Sequence, residues 1–431
     1  MRRTAAVLLA ARLGLAAAPE VAGGGAPPTP LPAPARLLVE LQPQPPLPHV
    51  LAVNTPRPRF SFVPAAPQPH NLTHYRIVVR RRGCEWCSSE PAWDSGRVAA
   101  STAASVRCGA SLPSAAAFSW SAQWWDGGAA SALSEGSFDT ALYAADGADW
   151  RGAEWLGGGH AQFRLRLPAA APAAATPWRA RLHVASPGGA VVSVDGEPVG
   201  DPIGLSLWSD SRRSVPYFSL DLAAALSRDT PTSEVHEIVI SAGRGFWAPG
   251  DLSMYGNPLP FGPNNASAPA VRFLLVVERD ATLVLRSGTD SPSIQGRAGP
   301  ILHDNPWTGC TIDMQLPAEA GWEVPRLAAA GAYPTGVLTP QPGYAETGAG
   351  AAATSVSEMA PLPDGTRRFL YRFARNLVGH AALRPGAVAG QGSVTVEHCE
   401  LWNSTAQACV KFARNPPETT TCSLNVRHHS A

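Results

Sequence analysis

The sequence has almost no net charge and no long apolar run in its interior. The formal net charge is +1, so there is no overall field that would attract nucleic acid or an anionic membrane. The one dense basic run, Arg80-Arg81-Arg82, is interpreted as a solvated strand end. Beyond the amino terminus no stretch reaches the roughly 18 apolar residues of a transmembrane helix. We therefore expect no nucleic-acid partner and no membrane span.

Motifs of the common catalytic sites are also missing. There is no Gly-x-Ser-x-Gly nucleophile elbow and no His-Glu-x-x-His metal motif. The pair Cys84 and Cys87 has zinc-ribbon or redox spacing but lacks a second ligand pair, so a local disulfide or two unrelated thiols are favoured. Nothing in the sequence predicts the burial that would turn a carboxylate into a general acid. The carboxylates that cluster along the chain are Asp304, Asp313, Glu319 and Glu323, and Glu397 with Glu400. We predict no catalytic residue and no metal ligand.

Proline and glycine are abundant, at 43 and 40 of 431 residues. This content disfavours long helices, and the length predicts two to four domains. Tryptophan followed by a turn former recurs along the first third of the chain, a pattern typical of successive strands that end in turns. These motifs are Trp93-Asp94-Ser95-Gly96, Phe118-Ser119-Trp120, Trp124-Trp125-Asp126-Gly127, Asp149-Trp150 and Glu154-Trp155-Leu156-Gly157. The predicted fold class is all-β.

Several features of the sequence indicate secretion. Met1-Arg2-Arg3, an apolar stretch and small residues before Pro19 have the layout of a signal peptide. Three glycosylation acceptors lie beside turn-forming residues, at Asn71, Asn265 and Asn403. In an oxidising compartment, the seven cysteines would leave one free or intermolecular thiol. We predict a secreted glycoprotein.

Alternating apolar and polar residues predict amphipathic strands. Ile77 and Val79 alternate with arginines, and Leu182 and Val184 alternate with Arg181 and His183. The Asp195-Gly196 pair predicts a tight hairpin turn. Asp221 is predicted to cap a short helix that ends at residue 226.

These patterns divide the chain into tandem β-sandwich modules. The first is predicted to be fibronectin-III-like and to act as a spacer, the second to be jelly-roll-like, and the third to be the start of a further sandwich. The predicted boundaries are a signal peptide at 1–18, a flexible leader at 19–35, modules at 36–143 and 148–345, a linker at 346–365, the third module at 366–415 and a tail at 416–431.

The second module contains an ordered motif series of its own: Asp195-Gly196-Glu197, Val199-Gly200-Asp201, Tyr217 through Asp221, Gly243 through Trp247, and Gly321-Trp322. Together with the tryptophan series, these motifs resemble the amino-terminal part of bacterial-type α-L-rhamnosidases, over roughly residues 50–410. The resemblance implies catalytic carboxylates in an (α/α)6 barrel beyond the sandwiches, which the 31 residues after Glu400 are too few to form. It implies that full-length relatives hydrolyse terminal α-L-rhamnose by an inverting route. The expectation is the non-catalytic amino-terminal portion of a secreted α-L-rhamnosidase-like glycoside hydrolase.

Two other classes stay open, a carbohydrate-binding sandwich and a structural adhesion protein. In the binding alternative, Trp208 stacks on a rhamnose-containing carbohydrate while Asp201 and Asp210 bind calcium or sugar hydroxyls. No cofactor other than this calcium is considered. In the opposing interpretation, Trp208 packs on the module's own core and both aspartates are solvated.

Overall fold

The computed structural model describes most of the chain. The residues that it describes are 31–44, 49–65, 71–82, 90–168, 178–200, 209–227, 235–244, 247, 253–254, 257–258, 269–279, 282–289, 291–305, 309–313, 316–317, 319–329, 333–341, 352–374, 390–397, 402–403, 405, 408–409 and 419–426.

The first module is a sandwich of two sheets. Its strands are β1 Arg36–Val39, β2 Gln42–Gln44, β3 Val50–Val53, β4 Arg59–Val63, β5 His74–Arg81, β6 Trp93–Asp94, β7 Val98–Ala99, β8 Val106–Arg107, β9 Ala117–Asp126, β10 Ala129–Ala130 and β11 Ser134–Thr140. One sheet has the order β2-β1-β4-β8. The other has the order β3-β11-β9-β5-β6, with β10 beside β9 and β7 beside β5.

The core of the first module is aromatic because β9 has the predicted alternation. Phe118, Trp120, Ala122 and Trp124 are at most 1% exposed, while the residues that alternate with them on the outer face are partly exposed. The indole nitrogen of Trp120 donates to Oε1 of Gln44, and that of Trp124 donates to the carbonyl of Pro32, both at 3.0 Å. Each buried ring therefore keeps its polar group satisfied.

The second module follows a 3₁₀ helix, Ala145–Trp150. It packs two five-stranded sheets, ordered β16-β15-β18-β13-β23 and β22-β21-β14-β17-β27, around one apolar cluster. The elements from this module's start are β12 Leu156–Gly157, β13 Gln162–Pro168, β14 Trp178–Ala185, β15 Ala190–Val194, β16 Glu197–Val199, β17 Ser214–Asp221, α1 Ala223–Leu226, β18 Val235–Ala242, β19 Ser253–Met254, β20 Asn257–Pro258, β21 Arg272–Arg279, β22 Thr282–Gly288, β23 Ile294–Arg297, β24 Ile301–Asn305, β25 Gly309–Ile312, β26 Arg326–Leu327 and β27 Val337–Pro340.

The remaining strands belong to smaller sheets. They are β28 Ser355–Met359, β29 Arg368–Arg372, β30 Gly390–Glu397, β31 Trp402–Asn403, β32 Ala408–Cys409 and β33 Thr419–Val426. A four-stranded sheet has the order β24-β25-β33-β30, and β28 pairs with β29 in a separate hairpin. The prediction of an all-β chain of tandem sandwiches is confirmed.

Helices are short in the part of the chain that the structure describes. The 3₁₀ helix has six residues and α1 has four, so neither approaches the length needed to cross a bilayer. The predicted helix that ends at residue 226 is present, but its N-cap is Leu222, one residue after the predicted cap Asp221. It begins at Ala223, whose amide donates to Oδ1 of Asp221 at 2.9 Å, and Asp221 therefore satisfies one of the free amides at the helix start.

Several glycines of the second module lie against other main-chain segments, and Gly288 and Gly188 make the closest approaches. A Cβ at Gly288 would overlap the carbonyl oxygen of Gly152, and a Cβ at Gly188 would overlap that of Gly243. The first contact brings the end of β22 against the turn that follows the 3₁₀ helix. Only glycine permits approaches as close as these.

Candidate functional site

The Asp195-Gly196 turn is the hairpin that the sequence predicts. Both residues have positive φ, 52° and 82°, and they join β15 to β16. Nδ1 of His236 lies 2.8 Å from Oδ2 of Asp195, while the amide of Glu237 donates to Oδ1 at 2.8 Å. This carboxylate therefore fastens the hairpin to β18.

Of the three predicted sugar-binding residues, Asp201 and Trp208 lie outside the described residues. Asp210 accepts a hydrogen bond from Nε of Arg212 at 2.8 Å and another from the main-chain amide of Arg212 at 3.2 Å. The hydrogen bond from the Arg212 side chain holds the pKa of Asp210 below its usual value. The Asp210 carboxylate stabilises its own turn, and the binding site stays a prediction.

Glu319 and Glu323, two of the clustered carboxylates, are held by arginine side chains, and Glu323 also contacts His160. Oε2 of Glu319 lies 2.9 Å from Nη1 of Arg164 and 3.1 Å from Nη2 of Arg166. Oε1 of Glu323 lies 2.8 Å from Nε2 of His160 and 2.7 Å from Nη2 of Arg326. The hydrogen bonds from Arg164 and from His160 are the main causes that lower the two pKa values. Both carboxylates are ionised near neutral pH, which does not suit a general acid.

The other clustered carboxylates give less information. The amide of Asp313 donates to the carbonyl of Pro300 at 2.7 Å, directly after β25. Asp304 lies on β24 and Glu397 on β30, but their side chains are outside the described residues, as is the whole of Glu400. Among the residues that the structure describes, no three His, Cys, Asp or Glu side chains form a group that could hold a metal ion.

Trp322 covers the outer face of the sheet that contains β13 and β23. The guanidinium groups of Arg164 and Arg297 lie 4.4 and 4.3 Å from the centroid of its ring. Nη1 of Arg297 also donates to the carbonyls of Pro317 and Ala320, at 2.9 and 3.1 Å. We call the described residues 316–317 and 319–326 the cover segment. Because this segment lies over Arg164, that arginine is only 4% exposed.

A cavity of about 610 Å³ lies beside the start of the second module. Its wall includes Gly158, Gly159, Ala161, Ile301 and Leu302, and Arg244 is its one charged side chain. Methyl groups and main chain form most of the lining. The described lining residues include no pair of carboxylates for glycoside hydrolysis.

The most perturbed titratable groups lie at the junction of the first two modules. Asp139 at the end of β11 lies 2.9 Å from Nε2 of His49 and 3.2 Å from Nε of Arg179, and it also accepts from Nε of Arg181. Burial opposes ionisation, but the close contact with His49 and the charges of the two arginines prevail and hold the pKa of Asp139 far below its usual range. Burial lowers the pKa of His183 to about 3.

Perturbed pKa values often mark catalytic sites, but structural ion networks cause them too. Here the groups lie inside a contact between two sandwiches, and the residues that line the 610 Å³ cavity include none of them. We interpret the junction as structural.

The sequence does not reveal this network. Arg181 and His183 alternate with core residues of β14 in the way that residues on a solvated face do, yet they are 6% and 4% exposed. Asp139 of the first module pairs with Arg181, and the rings of Trp150 and Tyr217 lie beside His183. The only signal in the sequence is a single carboxylate, Asp139, directly after Phe138 near the end of β11. All of the last three residues of this strand are buried.

Solved structures with the same fold are α-L-rhamnosidases. The enzyme from Dictyoglumus thermophilum is 18% identical with a TM-score of 0.60, and the match covers 91% of this chain and 44% of that one. The enzyme from Aspergillus terreus is also 18% identical, with a TM-score of 0.66 and the same coverage. The Streptomyces avermitilis enzyme, solved with L-rhamnose, is 16% identical, with a TM-score of 0.63 and coverage of 91% and 53%.

A family model agrees with these structures. Residues 44–144 match the Rha78A-like, N-terminal immunoglobulin domain. No curated protein matches the chain. The chain spans about half the length of the three solved enzymes. The resemblance that the motifs indicate is confirmed, and the likeness of fold to these structures covers 91% of the chain.

Proposed function

We propose that this chain is the non-catalytic amino-terminal portion of a secreted α-L-rhamnosidase-like glycoside hydrolase. The observation that carries the proposal is the shared fold, which covers 91% of this chain but only 44–53% of the three enzymes. The immunoglobulin-domain match at residues 44–144 supports the same placement at the amino-terminal side.

The described side chains fit a supporting role. Inverting hydrolysis needs one protonated and one ionised carboxyl group, far enough apart to admit water. Glu319 and Glu323 are instead paired with arginines, Glu323 also contacts His160, and both carboxylates have lowered pKa values. In this proposal the chemistry takes place in a separate barrel, and the sandwiches support that barrel.

An activity assay tests the proposal. The purified chain should release no rhamnose from an aryl α-L-rhamnoside above a blank without protein. Turnover that survives repurification, and that is lost in Asp304→Asn or Asp313→Asn, would show that the chain is itself the hydrolase.

The size of the native protein tests the same proposal from the other side. Immunoblotting of protein from the native host should detect a species well above the 45.1 kDa of this chain, because a barrel adds its own mass. A native species of about that mass without activity would indicate a separate accessory protein.

Sugar binding is the second candidate, and it rests on the sequence between Asp201 and Asp210, which contains Trp208. The chain would be titrated with L-rhamnose by calorimetry, with calcium and with EDTA. Binding that is lost in Trp208→Ala at an unchanged melting temperature would support a binding module. A large fall in melting temperature, with no binding in the parent chain, would place Trp208 in the core.

A further inference from the structure

We propose that the first two modules fold as one cooperative unit, because Asp139 of the first module is the countercharge for two buried arginines of the second. The immunoglobulin-like module would then be no spacer. It would be a required part of the second sandwich. This inference does not depend on the proposed function.

The argument starts from the two faces of β14. Ala180, Leu182 and Val184 point into the core of the second module, and each is 0% exposed. Arg179 and Arg181 lie on the opposite face, where their side chains are only 13% and 7% exposed. A buried guanidinium without a partner is costly, since it loses its hydration and gains nothing in return.

The carboxylates that the described part of the second module supplies to these arginines are partly exposed. Nη1 of Arg179 lies 2.6 Å from Oε2 of Glu278, and Nη1 of Arg181 lies 2.6 Å from Oδ1 of Asp221. The carboxylate side chains are 25% and 46% exposed, so water weakens both pairs. Asp139 is 3% exposed and contacts both guanidinium groups. It is the one described carboxylate that meets both arginines on their buried side.

Hydrogen bonds to main-chain groups and apolar contacts join the same two modules. The amide of Leu142 donates to Oη of Tyr217 at 2.8 Å, and Nη1 of Arg179 donates to the carbonyl of Ala115 at 3.2 Å. Leu142 and Tyr217 also belong to one apolar cluster with Trp150. Polar groups of each module are therefore satisfied by the other.

The connection between the modules is held at both ends. The amide of Ala144 donates to Oδ2 of Asp149 at 2.7 Å, and the hydroxyl of Ser114 donates to the same carboxylate. Ser114 belongs to the first module, whereas Asp149 lies in the 3₁₀ helix that leads to the second. A connection with these contacts does not behave as a flexible linker.

Hydrogen exchange during thermal unfolding tests the proposal on the full chain. Peptides from β9 report on the first module and peptides from β14 on the second. In the parent chain both should lose protection at the same temperature. Asp139→Asn, a change in the first module, should lower the midpoint of the β14 peptides by at least about 5 °C, because a broken buried ion pair is strongly destabilising.

Asp94→Asn is the matched control. Asp94 pairs with Arg76 inside the first module, and its side chain is 26% exposed. This variant should shift the β14 peptides by less than about 2 °C, as exposed pairs contribute little. If Asp139→Asn does not yield folded protein, Arg181→Lys gives the reciprocal test. Lysine keeps the positive charge but lacks the planar guanidinium group with its paired N–H donors. The unfolding midpoint of the β9 peptides should therefore fall.

Three results would overturn the proposal. The parent chain could lose protection in β9 and β14 at clearly different temperatures. Asp139→Asn could lower β9 alone. Alternatively, Asp139→Asn could shift the midpoint of the β14 peptides, and Arg181→Lys that of the β9 peptides, by no more than the Asp94→Asn control does.

Discussion

Tyr217→Phe isolates one hydrogen bond at the junction of the first two modules. Tyr217 is 0% exposed, and its hydroxyl oxygen accepts the amide hydrogen of Leu142 at 2.8 Å. Phenylalanine keeps the ring and therefore the edge-to-face contacts with Trp150 and His183, at centroid distances of 5.1 and 6.1 Å. What changes is that a buried amide loses its acceptor.

The cost follows from that loss. A buried donor left without a partner destabilises a protein by about 1–3 kcal/mol. Each kcal/mol lowers the melting temperature by about 2–4 °C. For a loss of about 2 kcal/mol, we therefore expect the melting temperature of the first two modules to fall by about 4–8 °C. The amide of Leu142 should also exchange at least about tenfold faster, since about 1.4 kcal/mol corresponds to a factor of ten.

Tyr143→Phe is the comparison. The hydroxyl of Tyr143 donates to the carbonyls of Leu112 and Pro113 at 2.8 and 3.1 Å, and partial burial raises its pKa to about 12. The side chain is half-buried, so water can replace the lost donor and the expected cost is below about 1 kcal/mol. Differential scanning calorimetry of both variants decides. A Tyr217→Phe shift no larger than that of Tyr143→Phe would refute the reasoning.

Three further predictions follow from other regions. Trp322→Ala should destabilise the second module by about 2–3 kcal/mol in urea unfolding, because a half-buried ring and two cation–π contacts are lost; Trp125→Ala, which removes one contact with Arg97 at 5.0 Å, should cost clearly less. The pKa of His183 is lowered to about 3 in the folded protein, so below about pH 6.5 only the unfolded chain gains the proton and stability falls as the pH falls; His183→Gln should reduce the difference in melting temperature between pH 7 and pH 4.5, and an unchanged difference would contradict this. Mass spectrometry of protein from the native host should show cleavage near Ala18 and glycan at one or more of Asn71, Asn265 and Asn403; an intact Met1 with unmodified asparagines would place the chain inside the cell.

Alternation along the strands was enough to predict much of the fold. Phe118, Trp120 and Trp124 on β9 are buried as the period-2 pattern requires, and the Asp195-Gly196 turn has the positive φ values that its residue types favour. These features depend on neighbours within a few residues, which the sequence displays directly.

Contacts between distant segments could not be predicted in this way. Arg181 looks like a residue on a solvated face, because its partner Asp139 lies 42 positions away in another module. Arg164 likewise sits under Trp322 in the cover segment. Alternation distinguishes the two faces of a strand but does not say whether the polar face meets water or a second layer of protein.

The close approach of Gly288 and Gly188 to main chain limits which substitutions these two positions can accept. Any substitution at Gly288 or Gly188 places a Cβ on a carbonyl oxygen of Gly152 or Gly243, and a main-chain group cannot turn aside as a flexible side chain can. Relatives that share this arrangement should therefore keep glycine at both positions even where most of the surrounding sequence has diverged. In a saturation library, these two codons should tolerate no replacement, whereas Gly128, with nothing within 4 Å of the added atom, should accept many.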